Sequence, residues 1–246
     1  MTPPSIALER ISKSYGSVRA LRDVSLAVRD GECVALVGES GSGKSTLLRC
    51  INRLVEPDSG CVAIAGADVR SRDAVELRRS IGYVPQEGGL LPHWRVRRNV
   101  ALVPWLRRER DAASRADRAL TLVALDPTEL GERWPHELSG GQAQRVAIAR
   151  ALAGGQSVLL LDEPFGALDA ITRSELQQVL LALRERTPLT VILVTHDIRE
   201  AMLLGDRVAV LRSGRLEQAA PPQELRARPA TAYVAELLAH AELAGR

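Results

Sequence analysis

The stretch Gly38-Glu-Ser-Gly-Ser-Gly-Lys-Ser45 constrains the fold of this chain more than any other feature. It satisfies the G-x-x-x-x-G-K-S pattern, follows the apolar run Glu32-Cys-Val-Ala-Leu-Val37 and opens the helical pattern Thr46-Leu-Leu-Arg-Cys-Ile-Asn52. A buried strand, a glycine-rich loop and a helix in that order call for an α/β protein built around a phosphate cradle. Glycines at 38, 41 and 43 let backbone N–H groups converge on phosphate oxygens where a Cβ would obstruct, and the helix points its positive end at them. Lys44 is expected to reach the β and γ phosphates and the Ser45 hydroxyl to bind Mg²⁺. Every basic residue is Arg except Lys13 and Lys44, so a lysine here marks the need for a compact point charge that a planar guanidinium does not meet.

Two further runs, Ser157-Val-Leu-Leu-Leu161 and Thr190-Val-Ile-Leu-Val-Thr195, also lack polar alternation, as strands buried on both faces of a parallel sheet do. The three runs lead into Gly38, Asp162-Glu163 and His196-Asp197, and ligands of open α/β sheets lie beyond the carboxyl ends of strands. One shared site is therefore expected. In it Asp162 would hold Mg²⁺ through water, Glu163 would polarise a water toward the γ-phosphate, and His196 would bond that phosphate and position the water. Taken alone, the acid pair reads as a helix cap and the histidine as structural; the loop upstream turns both toward catalysis.

Between about Gly88 and Gly155 the chain reads as helical and Arg-rich, a subdomain inserted into the α/β core. Ile6–Tyr15 and Ala20–Val28 partly alternate on either side of Gly16-Ser17 and predict an antiparallel layer. Arg207–Leu211 and Arg215–Glu217 predict a hairpin about Ser213-Gly214, with amphipathic helix after Pro221-Pro222.

A length of 246 residues suits one domain with an elaborated subdomain. Aromatic residues are only 3% of the chain, so the core must be Leu, Val, Ile and Ala. A net charge of +3 is too small to imply nucleic acid, and Arg95, Arg97, Arg98, Arg107, Arg108 and Arg110 are expected to form a solvated face more than a lipid or partner patch. Cys33, Cys50 and Cys61 give neither a disulfide framework nor a metal-ligand spacing and fit a reducing cytoplasm; Cys50 reads as a small buried hydrophobe. The opening MTPPSIALER lacks the basic and apolar regions of a signal peptide, and no apolar run approaches the roughly 20 residues of a spanning helix. The chain is not expected to cross a bilayer by itself.

Leu138-Ser-Gly-Gly-Gln142 precedes the helical pattern Ala143–Leu152, which reads equally as a second anion site and as a bare N-cap. With this segment between the glycine-rich loop and the acidic strand, the chain resembles the ATP-binding-cassette family, from about Ile6 to the C-terminal helix. The resemblance implies an α/β P-loop NTPase cassette in one domain: a RecA-like core and antiparallel β layer from residues 1–88 and 156–246, and a helical subdomain from 89–155. It implies ATP and Mg²⁺ as cofactors. The nucleotide would meet Tyr15, as the aromatic stacking on adenine, together with Val18, Gly38, Glu39, Ser40, Gly41, Ser42, Gly43, Lys44, Ser45, Thr46 and the glutamine-loop residue Gln86. Ser45, Gln86 and Asp162 would surround the metal, while Glu163, His196 and Lys44 would serve catalysis. Leu138, Ser139, Gly140, Gly141 and Gln142 would cap the ATP of the opposite protomer in a head-to-tail homodimer, with Asp169 in the D-loop Ala167-Leu168-Asp169.

A narrower resemblance is to ATPase subunits of importers for quaternary amines such as glycine betaine, choline or carnitine. It rests on Cys50–Gly60, Leu77–Gln86, Gly89–His93, Arg98–Pro104 and Trp134–Ser139, with departures at Pro85, Glu87 and Trp94. It implies transmembrane permease subunits, indirectly an extracytoplasmic solute-binding protein, no nucleic acid, and a peripheral position on the cytoplasmic face of a bacterial inner membrane. Many members of that group continue into paired regulatory modules; this sequence ends at Arg246, and osmotic sensing by that route is not expected. The alternatives are an importer of an amino acid, phosphate or another small solute, and a cassette ATPase acting on nucleic acid or ribosomes.

Overall fold

A computed structural model describes residues 5–243 of the chain. In chain order its elements are β1 (Ile6–Tyr15), β2 (Val18–Val28), β3 (Cys33–Val37), α1 (Lys44–Ile51), β4 (Ser59–Ile64), β5 (Ala67–Asp68), α2 (Ala74–Ser80), β6 (Ile81–Val84), α3 (Val96–Val100), α4 (Leu102–Leu106) and α5 (Ala112–Leu122). There follow α6 (Pro127–Leu130), α7 (Gly140–Leu152), β7 (Val158–Asp162), α8 (Ala170–Arg186), β8 (Thr190–Thr195), α9 (Ile198–Leu204), β9 (Arg207–Arg212), β10 (Arg215–Ala220), α10 (Pro222–Ala227) and α11 (Ala232–Leu243). The described residues divide into two compact units, one formed by residues 5–78 with 190–243 and the other by residues 79–189.

The first unit carries an antiparallel sheet in the order β2-β1-β4-β5 and the strand series β10-β9-β3-β8. In the antiparallel sheet Ile6, Leu8 and Ile11 of β1 and Leu21, Val24, Leu26 and Val28 of β2 are buried, the one-sided pattern of a half-covered sheet. β3 and β8 are buried at every position, and they pair in parallel from Cys33 opposite Val191 to Val37 opposite Thr195. β3 also pairs in parallel with β9, Val37 lying opposite Val210. Gly38 and His196 therefore leave the sheet at one edge, level with Leu211 of β9, the carboxyl edge where α/β proteins bind ligands. β9 and β10 close on Ser213 and Gly214, both at positive φ (47° and 79°), the backbone twist that a two-residue hairpin turn demands.

In the second unit β6 and β7 pair in parallel, Ile81 opposite Val158 and Val84 opposite Leu161. α7 packs on β6, and α3 and α5 pack on α7. The closeness of α7 to β6 depends on Gly82, where a Cβ would stand 2.6 Å from the Ala151 carbonyl oxygen. Among the described residues no strand lies between Val84 and Val158, the stretch read from sequence as helical. Its loop from Leu91 to Arg95 is fixed by fully buried Asn99, which accepts from Leu91 N–H and donates to the carbonyls of Leu91 and Trp94.

The arginine cluster is only partly a solvated face. Arg95, Arg98, Arg108 and Arg110 are exposed, but Arg107 donates to the Gly154 and Arg79 carbonyls and Arg97 pairs with Asp117 and Glu132. These long side chains tie helices together as well as solvate them. The core is aliphatic as composition requires, and the one phenylalanine, Phe165, is 1% exposed.

Candidate functional site

In the first unit, buried β3 delivers the chain into the loop 38–43, and α1 starts at Lys44. Gly43 caps α1 in a left-handed conformation (φ 103°), without a side-chain cap bond and with no acid in the first turn. α8 and α9, by contrast, take up their first N–H groups with Asp169 and Asp197. The start of α1 is thus an electropositive N-terminus with no carboxylate of its own on it.

Lys44 is 4% exposed, and its ammonium donates to the carbonyls of Gly38 and Glu39 at 2.8 Å each and to Ser42 Oγ at 3.4 Å. A compact cation curled into its own loop is the local solution to burying charge, since three polar groups replace part of its water. Ser45 and Thr46 follow in the first turn, half-buried, while Glu39, Ser40 and Gly41 are exposed.

The loop glycines have packing reasons of their own. A Cβ on Gly38 would lie 2.0 Å from the Leu211 carbonyl oxygen, and one on Gly43 would lie 2.4 Å from that of Ala20. Gly41 faces open space and is set apart by its φ of 78°. The β9–β10 turn closes on the loop as well, Gly214 N–H donating to the Ser42 carbonyl at 3.0 Å. Two of the three glycines thus let backbone pack on backbone.

Tyr15 and Val18 face each other across the end of the β1–β2 hairpin and are 49% and 65% exposed, an uncovered apolar pair in the same unit as the loop. His196 is exposed at the end of β8. Its turn is stiffened beneath by Thr195, whose hydroxyl donates to buried Glu200 and accepts from Asp197 N–H.

In the second unit Gln86, Gly140, Glu163 and Leu168 line one cavity of about 310 Å³. Asp162 ends β7 buried at 1% exposure, and Glu163 follows with φ at 49°. Ser139 and Gln142 cap α7 reciprocally, Ser139 Oγ accepting from Gln142 N–H and Gln142 Oε1 from Ser139 N–H. Gly141 sits where a Cβ would be 2.3 Å from Thr172 Cγ2, whereas a Cβ on Gly140 would make an ordinary contact at 3.5 Å with Leu168. Leu138 is half-buried just before the cap. Asp169 accepts from the N–H groups of Ile171 and Thr172 and from the Thr172 hydroxyl, which holds its carboxyl below the usual range.

Two residues of this unit escape a reading by sequence alone. Gln144 lines the same cavity, 8% exposed, with its Nε2 making no hydrogen bond among the described residues. It stands one helical turn after Gly140, a spacing that places both on one face. Arg150, on the last turn of α7, donates to the carbonyls of Gly88 and Gly89 at 2.7 Å each and so ties the segment after Gln86 to α7; burial lowers its pKa. Cys50 is fully buried, which pushes its thiol up to about 12 and leaves it inert near neutrality.

Among the described residues no group of three or more His, Cys, Asp or Glu forms a metal cage. A divalent ion on Ser45 would draw most of its oxygen ligands from phosphates and water, which is the habit of Mg²⁺ and suits a hydroxyl at an acid-free helix start.

Residues 21–166 match the family described as ABC transporter. The chain is 44% identical over 243 residues to the glycine betaine uptake system ATP-binding protein of Escherichia coli strain K12, a match covering 98% of this chain and 79% of that protein. With the choline transport ATP-binding protein of Bacillus subtilis strain 168 it shares 43% identity over 236 residues, 95% of this chain but 62% of that longer protein. Among solved structures, the ATP-binding cassette MJ0796 in a dimeric post-hydrolysis state bound to ADP and Pi is similar with a TM-score of 0.78 at 37% identity, covering 88% of this chain and 98% of that one.

Proposed function

Because the chain belongs to the ABC transporter family, we propose that it is the ATP-hydrolysing subunit of a membrane importer whose cargo is a quaternary amine of the glycine betaine, choline or carnitine type. The observation that carries the nucleotide half of this reading is the Lys44 ammonium, held by the carbonyls of Gly38 and Glu39 at an uncapped helix N-terminus. Phosphate oxygens take over this cation when nucleotide arrives, and backbone N–H groups between Gly41 and Thr46 complete the cradle. Tyr15, with Val18, supplies the apolar surface for adenine.

Hydrolysis is direct: water attacks the γ-phosphorus, the bond to the bridging oxygen of ADP breaks, and phosphate leaves without a covalent intermediate. Glu163 takes the proton of the attacking water and His196 orients that water. Mg²⁺ would be held by Ser45, by Asp162 through water and by Gln86, and would supply neutralisation of phosphate charge. Residues 138–142 of one protomer complete the ATP site of another in a head-to-tail homodimer, a reading supported by the exposure of Ser139 and Gly140 at the start of α7.

The cargo half rests on likeness to the glycine betaine and choline relatives. Since no helix among the described residues is long and apolar enough to cross a membrane, translocation falls to permease subunits, supplied with cargo by a solute-binding protein. The subunit then sits peripherally on the cytoplasmic face. The test is to isolate the tagged chain from its native membrane, identify its partners and measure ATP hydrolysis of the reconstituted complex with candidate solutes. Recovery of a permease and stimulation by a quaternary amine are expected. Stimulation by an amino acid alone would replace the cargo, and recovery with ribosomes or DNA in place of a permease would sink the transport reading.

A further inference from the structure

The peptide group joining Gly38 to Glu39 is gripped at both ends by side chains. Its carbonyl oxygen accepts from Lys44 Nζ at 2.8 Å, and its N–H donates to Tyr233 Oη at 3.2 Å. Tyr233 stands in the first turn of α11, far away in sequence, and is 5% exposed. Its ring is fixed by the Arg212 guanidinium, 4.4 Å from the ring centre at the end of β9. The approach to α11 is fixed by Gln218 of β10, which donates to the Arg228 carbonyl and accepts from Ala230 N–H. Burial raises the phenol above its ordinary pKa, so the hydroxyl stays neutral through the physiological range.

We propose that Tyr233 is a positioning residue for nucleotide binding: through its hydroxyl, the C-terminal helix fixes the first peptide of the phosphate loop. The inference rests on reading Gly38–Ser45 as that loop. When Lys44 turns from the Gly38 carbonyl to a phosphate, the peptide loses its grip at the oxygen end, and the bond to Tyr233 holds the N–H end. Gly38 sits at φ 152°, a conformation open to glycine, so its flanking peptide is a place where the loop can turn. The hydroxyl removes that freedom before ligand arrives, and an ordering cost already met in the free protein is not charged against binding. The turn 211–214 braces the same loop from the other side, at the Leu211 oxygen and Gly214 N–H. The phosphate loop is thereby framed by the C-terminal part of the chain.

The test compares Tyr233→Phe, which keeps the ring, its burial and the Arg212 contact, with Tyr233→Leu, which loses them. Mg-ATP affinity by calorimetry, KM and kcat for ATP hydrolysis, and thermal midpoints are measured for both and for the wild type. For Tyr233→Phe the Kd and KM are expected to rise roughly three- to tenfold, the loss of one net hydrogen bond, with kcat within about twofold. Its thermal midpoint is expected to stay near that of the wild type, while Tyr233→Leu falls well below. Wild-type Kd and KM in Tyr233→Phe would overturn the proposal, leaving the tyrosine as packing alone. So would a loss of affinity accompanied by the same thermal loss as Tyr233→Leu. A wild-type protein that fails to bind Mg-ATP, or a Lys44→Ala protein that binds it equally well, would instead refute the nucleotide reading itself.

Discussion

At the scale of single residues, Glu163 shows how a site is built against local preference. A non-glycine residue with φ at 49° lies in the left-handed region, a strain of order 1–3 kcal/mol that the surroundings must outweigh. They do so by burying Pro164 and Phe165 directly behind it and by closing the turn with Gly166 N–H on the Glu163 carbonyl at 3.2 Å. The backbone therefore aims the carboxylate, and glutamine would be aimed the same way. Glu163→Gln is expected to keep its Mg-ATP affinity within about twofold while steady-state phosphate release falls by roughly 10²- to 10⁴-fold, the contribution of a positioned base. Phosphate release near the wild-type rate would remove Glu163 from that role. The identities of Lys44, Glu163 and His196 as candidates are legible in the sequence because pattern and position name them. The φ of Glu163, the carbonyls facing Gly38 and Gly43, and the Tyr233 bond are not legible, since each is a relation between the site and backbone or side chains set by tertiary packing.

At the scale of elements, the adjacent glycines of α7 differ in what packing asks of them. A methyl on Gly141 would meet Thr172 Cγ2 at 2.3 Å, and Thr172 cannot swing aside freely because its hydroxyl donates to Asp169 at 2.6 Å. A methyl on Gly140 would make only an ordinary contact. Gly141→Ala is expected to destabilise the protein by about 1–3 kcal/mol, the usual cost of overpacking, and Gly140→Ala to leave the denaturation midpoint unchanged. Thr172→Ser, which removes the methyl and keeps the hydroxyl, is expected to recover most of the loss in the double variant. Equal urea midpoints for the two alanine variants would show that α7 and α8 are not in the tight contact described. Elements with strong periodicity or continuous burial, such as β3, β7, β8 and α7, are legible in the sequence. β4, β5 and β6 are not: Ser59-Gly-Cys opens one with poor strand formers, β5 has two residues, and β6 holds Gly82, tolerated because α7 needs the room.

For the molecule as a whole, the proposed nucleotide site would be completed only by a second chain. Lys44 and the start of α1 would offer positive charge to one side of a nucleotide, and among its described residues that unit holds no counterpart of the capped glycine turn Ser139–Gln142. In that turn Ser139 Oγ and Gln142 Oε1 only accept, so the Ser139 hydroxyl hydrogen and the backbone N–H groups at the start of α7 are what it would offer a phosphate, where a helix N-terminus favours an anion. Two chains arranged head to tail would place one such turn over each nucleotide, so that ATP lies in the interface and its binding is linked to association. Any ligand held by both partners stabilises the pair by mass action, and two of them do so twice. In wild-type protein hydrolysis would remove the γ-phosphate and dissolve the link. Glu163→Gln should preserve it, so gel filtration with Mg-ATP is expected to show a dimer, with the apparent dissociation constant of the pair tightened by at least about a hundredfold over the nucleotide-free protein. Adding Ser139→Arg, a bulky charge at the turn, should return the protein to a monomer that still binds Mg-ATP. A Glu163→Gln protein that binds Mg-ATP and elutes as a monomer would mean that the turn of α7 does not meet nucleotide in a partner, and the motion driving transport would have to come from within one chain.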